Sequence, residues 1–187
     1  MYLDPNWLAA PIVIPMLTAA LGLPFIQRGL DRAAVSQNRL AGLGMTANLA
    51  AALLLLVYTL GDRRLVLQVG LWPAPFGITL VADGLSAIML TLTAILSLAT
   101  ILYASGTLDA RAKLNYYPLV SFLVMGVNGA FLAGDIFNLY VFFEVLLVAS
   151  FALLTLGGQI GQINGGIRYV LLNLLASTIF LATAGII

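Results

Sequence analysis

Apolar runs of about twenty residues, the length an α-helix needs to cross a bilayer, recur six times along the chain: at 7–25, 40–60, 84–103, 116–134, 136–156 and 166–187. Short polar stretches separate them. The pattern predicts an all-α integral membrane protein with about six transmembrane helices. Only six residues precede the first run, with Asp4 as their sole charge; without the basic head of a signal peptide it reads as a retained span. Pro11 and Pro15 predict a bend within it, which a membrane helix tolerates when its neighbours satisfy the carbonyls that proline frees. The stretch between the second and third runs has a different texture. Residues 65–70 and 78–81 are β-prone and flank a Pro/Gly-rich break at 72–77, the pattern of a short hairpin. Trp72 and Phe76 in that break suit the lipid headgroup region. A structural cover over helix ends is the simpler role for the hairpin, and a ligand-binding lid is the alternative. Residues 157–166 hold five glycines and read as a connector, because they lack the Lys of a phosphate-binding loop and the strand that precedes one.

Composition fixes the class and removes several functions. Of 187 residues 62% are hydrophobic and 8% charged, against about 25% charged in a soluble domain, and mean hydropathy is +1.09. A net charge of +1 with no basic cluster leaves nothing to neutralise phosphates, so nucleic acid is not an expected partner; the lipid bilayer is. The absence of Cys and His removes thiol nucleophiles, disulfides, haem and iron–sulfur ligation and nearly all zinc chemistry. The seven acids are scattered, so no metal site and no cofactor are expected, and no nucleophile–base pair suggests an enzyme. Loop charges set orientation. The first, third and fifth loops carry Arg28, Arg32, Arg39, Arg111, Lys113 and Arg168, whereas the even loops carry only Arg63 and Arg64. The odd loops therefore face the cytoplasm and the N-terminus lies outside. Residues 181–187 stop inside apolar sequence with no charged or aromatic anchor, as expected for the front part of a longer protein.

One acid stands apart. Asp4, Asp31, Asp62, Asp83, Asp109 and Asp135 fall at helix ends or in loops, but Glu144 follows Ile136 by eight residues. At 1.5 Å per residue that is about 12 Å along a helix, near the middle of a hydrocarbon core roughly 30 Å thick. An acid at that depth costs about 3 kcal/mol to insert, faces the bundle interior or a hydrated cavity, and is by default a functional candidate. A proton relay is the chemistry such a carboxyl offers; a structural Glu that fixes packing is the alternative. Tyr140, four residues earlier, can share its face and donate a hydrogen bond. Asp135 and Asn138 start the same helix, where an acid suits the N-terminal dipole; capping is the simpler role for Asp135 and a proton exit on the outer side the alternative. Asp83 heads a stripe formed by Ser86, Thr93, Ser97 and Thr100, for which close packing with local hydroxyl bonds outweighs a water-filled groove. Asn128, and Asn173 with Ser177, suggest interhelical bonds or water ligands. No basic residue lies deep in a span, so a buried cation beside Glu144 would come from other sequence or another subunit.

The run Gly134-Asp135-Ile136-Phe137-Asn138-Leu139-Tyr140-Val141-Phe142-Phe143-Glu144 closely resembles the fifth helix of the D-type subunits of the Mrp-type multisubunit Na+/H+ antiporters. Residues 72–78 running to Asp83, and 168–171 leading into Asn173, are similar to that family too. The family belongs to the antiporter-like subunits shared with respiratory complex I and membrane-bound hydrogenases. The resemblance implies a fold of about fourteen helices with two inverted five-helix repeats, of which this chain would be the N-terminal portion. Residues 1–114 would form a three-helix region with the outer hairpin near 65–81, and 115–187 the first part of the proton-translocating repeat. It also implies a transporter subunit in the bacterial plasma membrane, working with other subunits and moving H+ against Na+ or another monovalent cation. Glu144 matches the family's fifth-helix glutamate, whose lysine partner, two helices later, falls beyond residue 187. A proton-pumping subunit of a respiratory complex and a non-transporting scaffold are the competing readings.

Overall fold

The computed structural model describes residues 3–24, 30–61, 63–71 and 77–186, and the side chains at 30–33, 71, 110, 111, 113 and 114 fall outside that description. So do the expected hairpin turn with Trp72 and Phe76, and the charges of Arg28, Asp31, Arg32, Asp62, Arg111 and Lys113. The described residues form six long helices: α1 (Ala10–Gly22), α2 (Leu30–Thr59), α3 (Gly84–Thr107), α4 (Ala110–Leu132), α5 (Ile136–Leu154) and α6 (Ile160–Ala184). Two strands, β1 (Leu65–Gln68) and β2 (Thr79–Ala82), lie between α2 and α3. They pair antiparallel with Leu65 opposite Ala82 and Gln68 opposite Thr79, the hairpin that the β-prone runs predict.

Among the described residues, five segments are long and apolar enough to cross a membrane: Pro5–Gly22, Ala34–Thr59, Gly84–Thr107, Ile136–Leu154 and Ile160–Ala184. The expected span at 116–134 also falls on a helix, α4. α4 packs against α1, α2, α3 and α5, so its Tyr117, Ser121 and Asn128 are buried against protein.

Two further boundaries move. α2 starts at Leu30, ten residues ahead of the apolar run, so Arg39 rides on a helix instead of a loop. Gln37 in that added stretch is buried, and its Nε2 donates to the Gly22 carbonyl at 2.8 Å, closing the end of α1. α6 starts at Ile160 inside the glycine-rich connector, held by reciprocal bonds between Gln159 and Gln162. Glycine is a weak helix former, but Gly166 lies where a Cβ would come within 2.6 Å of Thr155, so close packing against the end of α5 requires it. The turn between α5 and α6 is made at Gly158, whose φ of 66° suits a residue without a side chain.

α1 runs through Pro15 as a single helix. Pro15 has no N–H to offer the carbonyl of Pro11, four residues back. Asn128 Nδ2 on α4 donates to that carbonyl at 2.7 Å and to Asn48 Oδ1 on α2 at 3.3 Å. All three residues are buried. A neighbouring helix thus repairs the break in α1, as the sequence requires of any proline in a membrane span.

The hairpin covers one end of the bundle. Leu65, Leu80 and Ala82 are buried in one cluster with Leu8, Leu55, Leu90 and Leu132, from α1's approach, α2, α3 and α4. A second cluster, including Met45, Ile101, Tyr117 and Val124, joins α2, α3 and α4 elsewhere. In the hydroxyl stripe on α3, Thr93, Ser97 and Thr100 each donate to a carbonyl of their own helix, the local bonding expected of a packing stripe.

Candidate functional site

α5 carries the candidate acid. It begins at Asp135, whose Oδ1 accepts from Asn138 N at 2.8 Å while Oδ2 bonds the Asn138 side-chain amide. Asp135 is therefore the N-cap of α5, with Asn138 supplying both donors. Asp83 does the same for α3: Oδ1 accepts from Ser86 N at 2.8 Å, and Ser86 Oγ accepts from Asp83 N. The bonds from Ser86, the backbone N–H foremost, hold the Asp83 carboxyl below the usual carboxylate range, and the nearby Arg64 adds to them. The carboxylates of Asp83 and Asp135 are thus engaged by helix N-termini.

Glu144 lies in the body of α5, half-buried, and its Oε1 is fully shielded without a hydrogen-bond partner. The helix is pressed against α4 on either side of it. A Cβ on Gly126 would come within 2.8 Å of Leu146 N, and one on Gly129 would overlap the Phe142 ring. These two glycines, three residues apart on α4, let Phe142 and Leu146 seat directly on its backbone and so fix which way Glu144 points.

Glu144 borders two cavities. One, of about 360 Å³, lies between α5 and α6, where Tyr140, Asn173, Ser177 and Phe180 also line it. The other, of about 420 Å³, lies between α4 and α5 and is walled by apolar side chains such as Leu119, Phe122 and Val148. The residues that line them include no Lys or Arg. Tyr140 shares the first cavity as its spacing predicts, but its ring stacks on Phe180 at 6.2 Å instead of reaching Oε1. Asn173 and Ser177 line the same cavity, with Ser177 Oγ bonded to the Leu174 carbonyl. Ser150 and Tyr169, 3.0 Å apart, tie α5 to α6 on the far side of Glu144.

Sequence reasoning passes over Gln37, Asn48 and Tyr117, all buried. Asn48 carries a readable signal, an amide inside an apolar run. The Gly-x-x-Gly spacing at 126–129 is another, since small residues mark helix contacts in membranes. Among the described residues no group of His, Cys, Asp and Glu is arranged to hold a metal.

No family model matches the chain. Individual proteins do. It is 37% identical over 177 residues to the D-type Na(+)/H(+) antiporter subunit of Alkalihalophilus pseudofirmus, an alignment covering 94% of this chain and 35% of that protein. With the protein of the same name from Bacillus subtilis it is 38% identical over 181 residues, 96% of this chain and 36% of the relative. Its fold matches a chain of the Mrp complex from Dietzia sp. DQ12-45-1b with a TM-score of 0.84 at 33% identity, over 97% of this chain and 34% of that one. A chain of the archaeal membrane-bound sulfane sulfur reductase shares the fold alone, with a TM-score of 0.86 at 21% identity, over 96% of this chain and 36% of that one. Over nearly its whole length this multi-pass membrane chain is related to the D-type subunits of Na(+)/H(+) antiporters, and it spans about a third of their length.

Proposed function

We propose that the chain works within a multisubunit cation/proton antiporter of a bacterial plasma membrane, where Glu144 accepts and releases the transported proton. Residues 115–187 would begin the proton-translocating repeat, with the N-terminus and the hairpin on the outer side. The observation that carries this reading is the Glu144 carboxyl itself: in the body of a membrane helix, one oxygen shielded and unpartnered, bordering cavities on two sides.

The chemistry follows from the dielectric. A carboxyl shielded from water takes its protonation state from the charges near it. An ammonium brought to about 4 Å would favour the carboxylate by roughly 4 kcal/mol at an effective dielectric constant near 20. Its withdrawal favours the protonated acid. A lysine outside these 187 residues, as the family resemblance implies, would make Glu144 release its proton when close and take one up when distant. Tyr140, Asn173 and Ser177 give the α5–α6 cavity the polar atoms that could hold water beside the acid. Asp135 and Asp83, at helix starts, would serve at the outer surface.

The assembly-level test uses everted membrane vesicles from cells carrying the complete transporter. Deleting the gene for this chain is expected to abolish Na+-dependent collapse of a pH gradient while respiration still builds the gradient. If the gradient itself fails and Na+ has no role, the chain belongs to a proton-pumping respiratory complex instead; the fold shared with the sulfane sulfur reductase keeps that second reading in view.

A further inference from the structure

The outer hairpin does more than cover helix ends. Between α4 and α5 the chain turns in three residues, Ala133, Gly134 and Asp135, and these lie along β2. Ala133 bridges Leu80 in antiparallel fashion. Gly134 N donates to the Thr79 carbonyl at 2.8 Å. Thr79 N points back at Asp135 Oδ2, 3.5 Å away, a long contact from a carboxylate that also caps α5. β2 therefore pairs with β1 on one edge and with the α4–α5 corner on the other.

Gly134 is the tightest point. A Cβ there would come within 2.8 Å of Val81 Cγ2 and 3.0 Å of the Thr79 carbonyl, so a side chain forces the corner or the strand to shift, and a larger one forces more. The anchoring is firm beneath it: Leu80, Ala82 and Leu132 are buried. α5 leaves this corner as a rigid helix, and Glu144 follows nine residues after its cap. The azimuth of the helix decides which cavity the carboxyl faces; the seats on Gly126 and Gly129 hold it along α4, and the corner holds it at the start of the helix.

We infer that Gly134, Thr79 and Asp135 form a clasp between the outer hairpin and α5, and that they are positioning residues for Glu144. The functional half of this inference rests on the relay reading above; the structural half does not. Displacement of the hairpin would rotate or shift α5 and change how Glu144 is shared between its two cavities. The outer loop region thereby gains a mechanical path to the buried acid.

The test uses the complete transporter. Spin labels are placed on cysteines substituted at exposed Val66 on the hairpin and Leu154 on α5, in a transporter cleared of other cysteines, to which these 187 residues contribute none. Their separation reads the setting of α5 against the hairpin, and the pH midpoint of antiport reads its consequence. Gly134→Val is expected to displace or broaden the distance distribution by a few ångström and to move the pH midpoint. Gly106→Ala, a helix glycine with open space around it, should leave both unchanged. If Gly134→Val does not assemble, Gly134→Ala and the isosteric Asp135→Asn are read in the same way, with smaller shifts in both quantities. An unchanged distance in all assembled variants overturns the clasp. A changed distance with an unchanged pH midpoint overturns the positioning role. Failure of the relay reading is a separate result, seen as full antiport in Glu144→Gln whatever the distances show.

Discussion

Glu144→Gln is expected to reduce Na+-dependent antiport by the complete transporter to background, with the chain still inserted and assembled. Glutamine keeps the shape of the side chain and both heavy-atom positions but cannot carry a proton at any accessible pH. The surroundings make assembly of the variant favourable. Oε1 has no hydrogen-bond partner to lose, and a neutral amide of the same shape burdens the span no more than the acid it replaces. Loss of transport without loss of assembly is therefore the signature of a proton carrier. Glu144→Asp should retain part of the activity, because the carboxyl persists and only its reach into the two cavities shortens. A structural glutamate predicts the reverse order, with Gln tolerated and Asp harmful to packing.

The second large effect concerns stability. Asn128→Leu is expected to lower the unfolding free energy of the complete protein in detergent by about 1–3 kcal/mol, the cost of leaving a buried polar group unsatisfied. The group left behind is the Pro11 carbonyl, which Pro15 cannot serve and which Asn128 Nδ2 now serves at 2.7 Å. Asn48→Leu should cost less. It removes only the 3.3 Å bond to Asn128, and polar bonds between membrane helices average about 0.6 kcal/mol. It also removes Asn48 Nδ2, a buried amide with no partner of its own. Thermal melts of the two variants side by side provide the check. Equal losses would mean that the amide pair between α2 and α4, not the repaired proline break in α1, carries the stabilisation.

Glu144 and Asn128 differ in how far sequence announces them. Long apolar runs declare the spans directly, because a helix of fixed rise must match a bilayer of fixed thickness. The hairpin declares itself through its change of period and its Pro/Gly break. Glu144 stands out in the sequence because its neighbours at 141–143 and 145–149 are all apolar. Helix ends are harder. α2 extends to Leu30 and α6 to Ile160 because Gln37 and Gly166 are fixed by tertiary partners that hydropathy does not see. The repair of Pro11 by Asn128 spans 117 residues, a pairing that no local pattern encodes. The clasp is hidden for a related reason, since Gly134 reads as an ordinary turn residue until β2 is brought against it. Tyr140 marks the limit of helical spacing as a guide: i and i+4 put it in the cavity with Glu144, and the Phe180 ring decides where it rests.

α6 and much of α5 remain open on the side away from α4. α6 packs chiefly on α5, and the cavity holding Asn173 and Ser177 lies in that seam. The proposed proton carrier thus sits at a boundary, where a charge carried on a further element could approach. Transport assays report on that charge only through the whole cycle, whereas the carboxyl can be observed directly. Infrared difference spectroscopy of the complete transporter across its working pH range tests the relay role of Glu144 most directly. The expected result is a protonated-carboxyl band that changes with pH in the wild type and is absent from Glu144→Gln. Identical pH-dependent carboxyl spectra from the two proteins would contradict it.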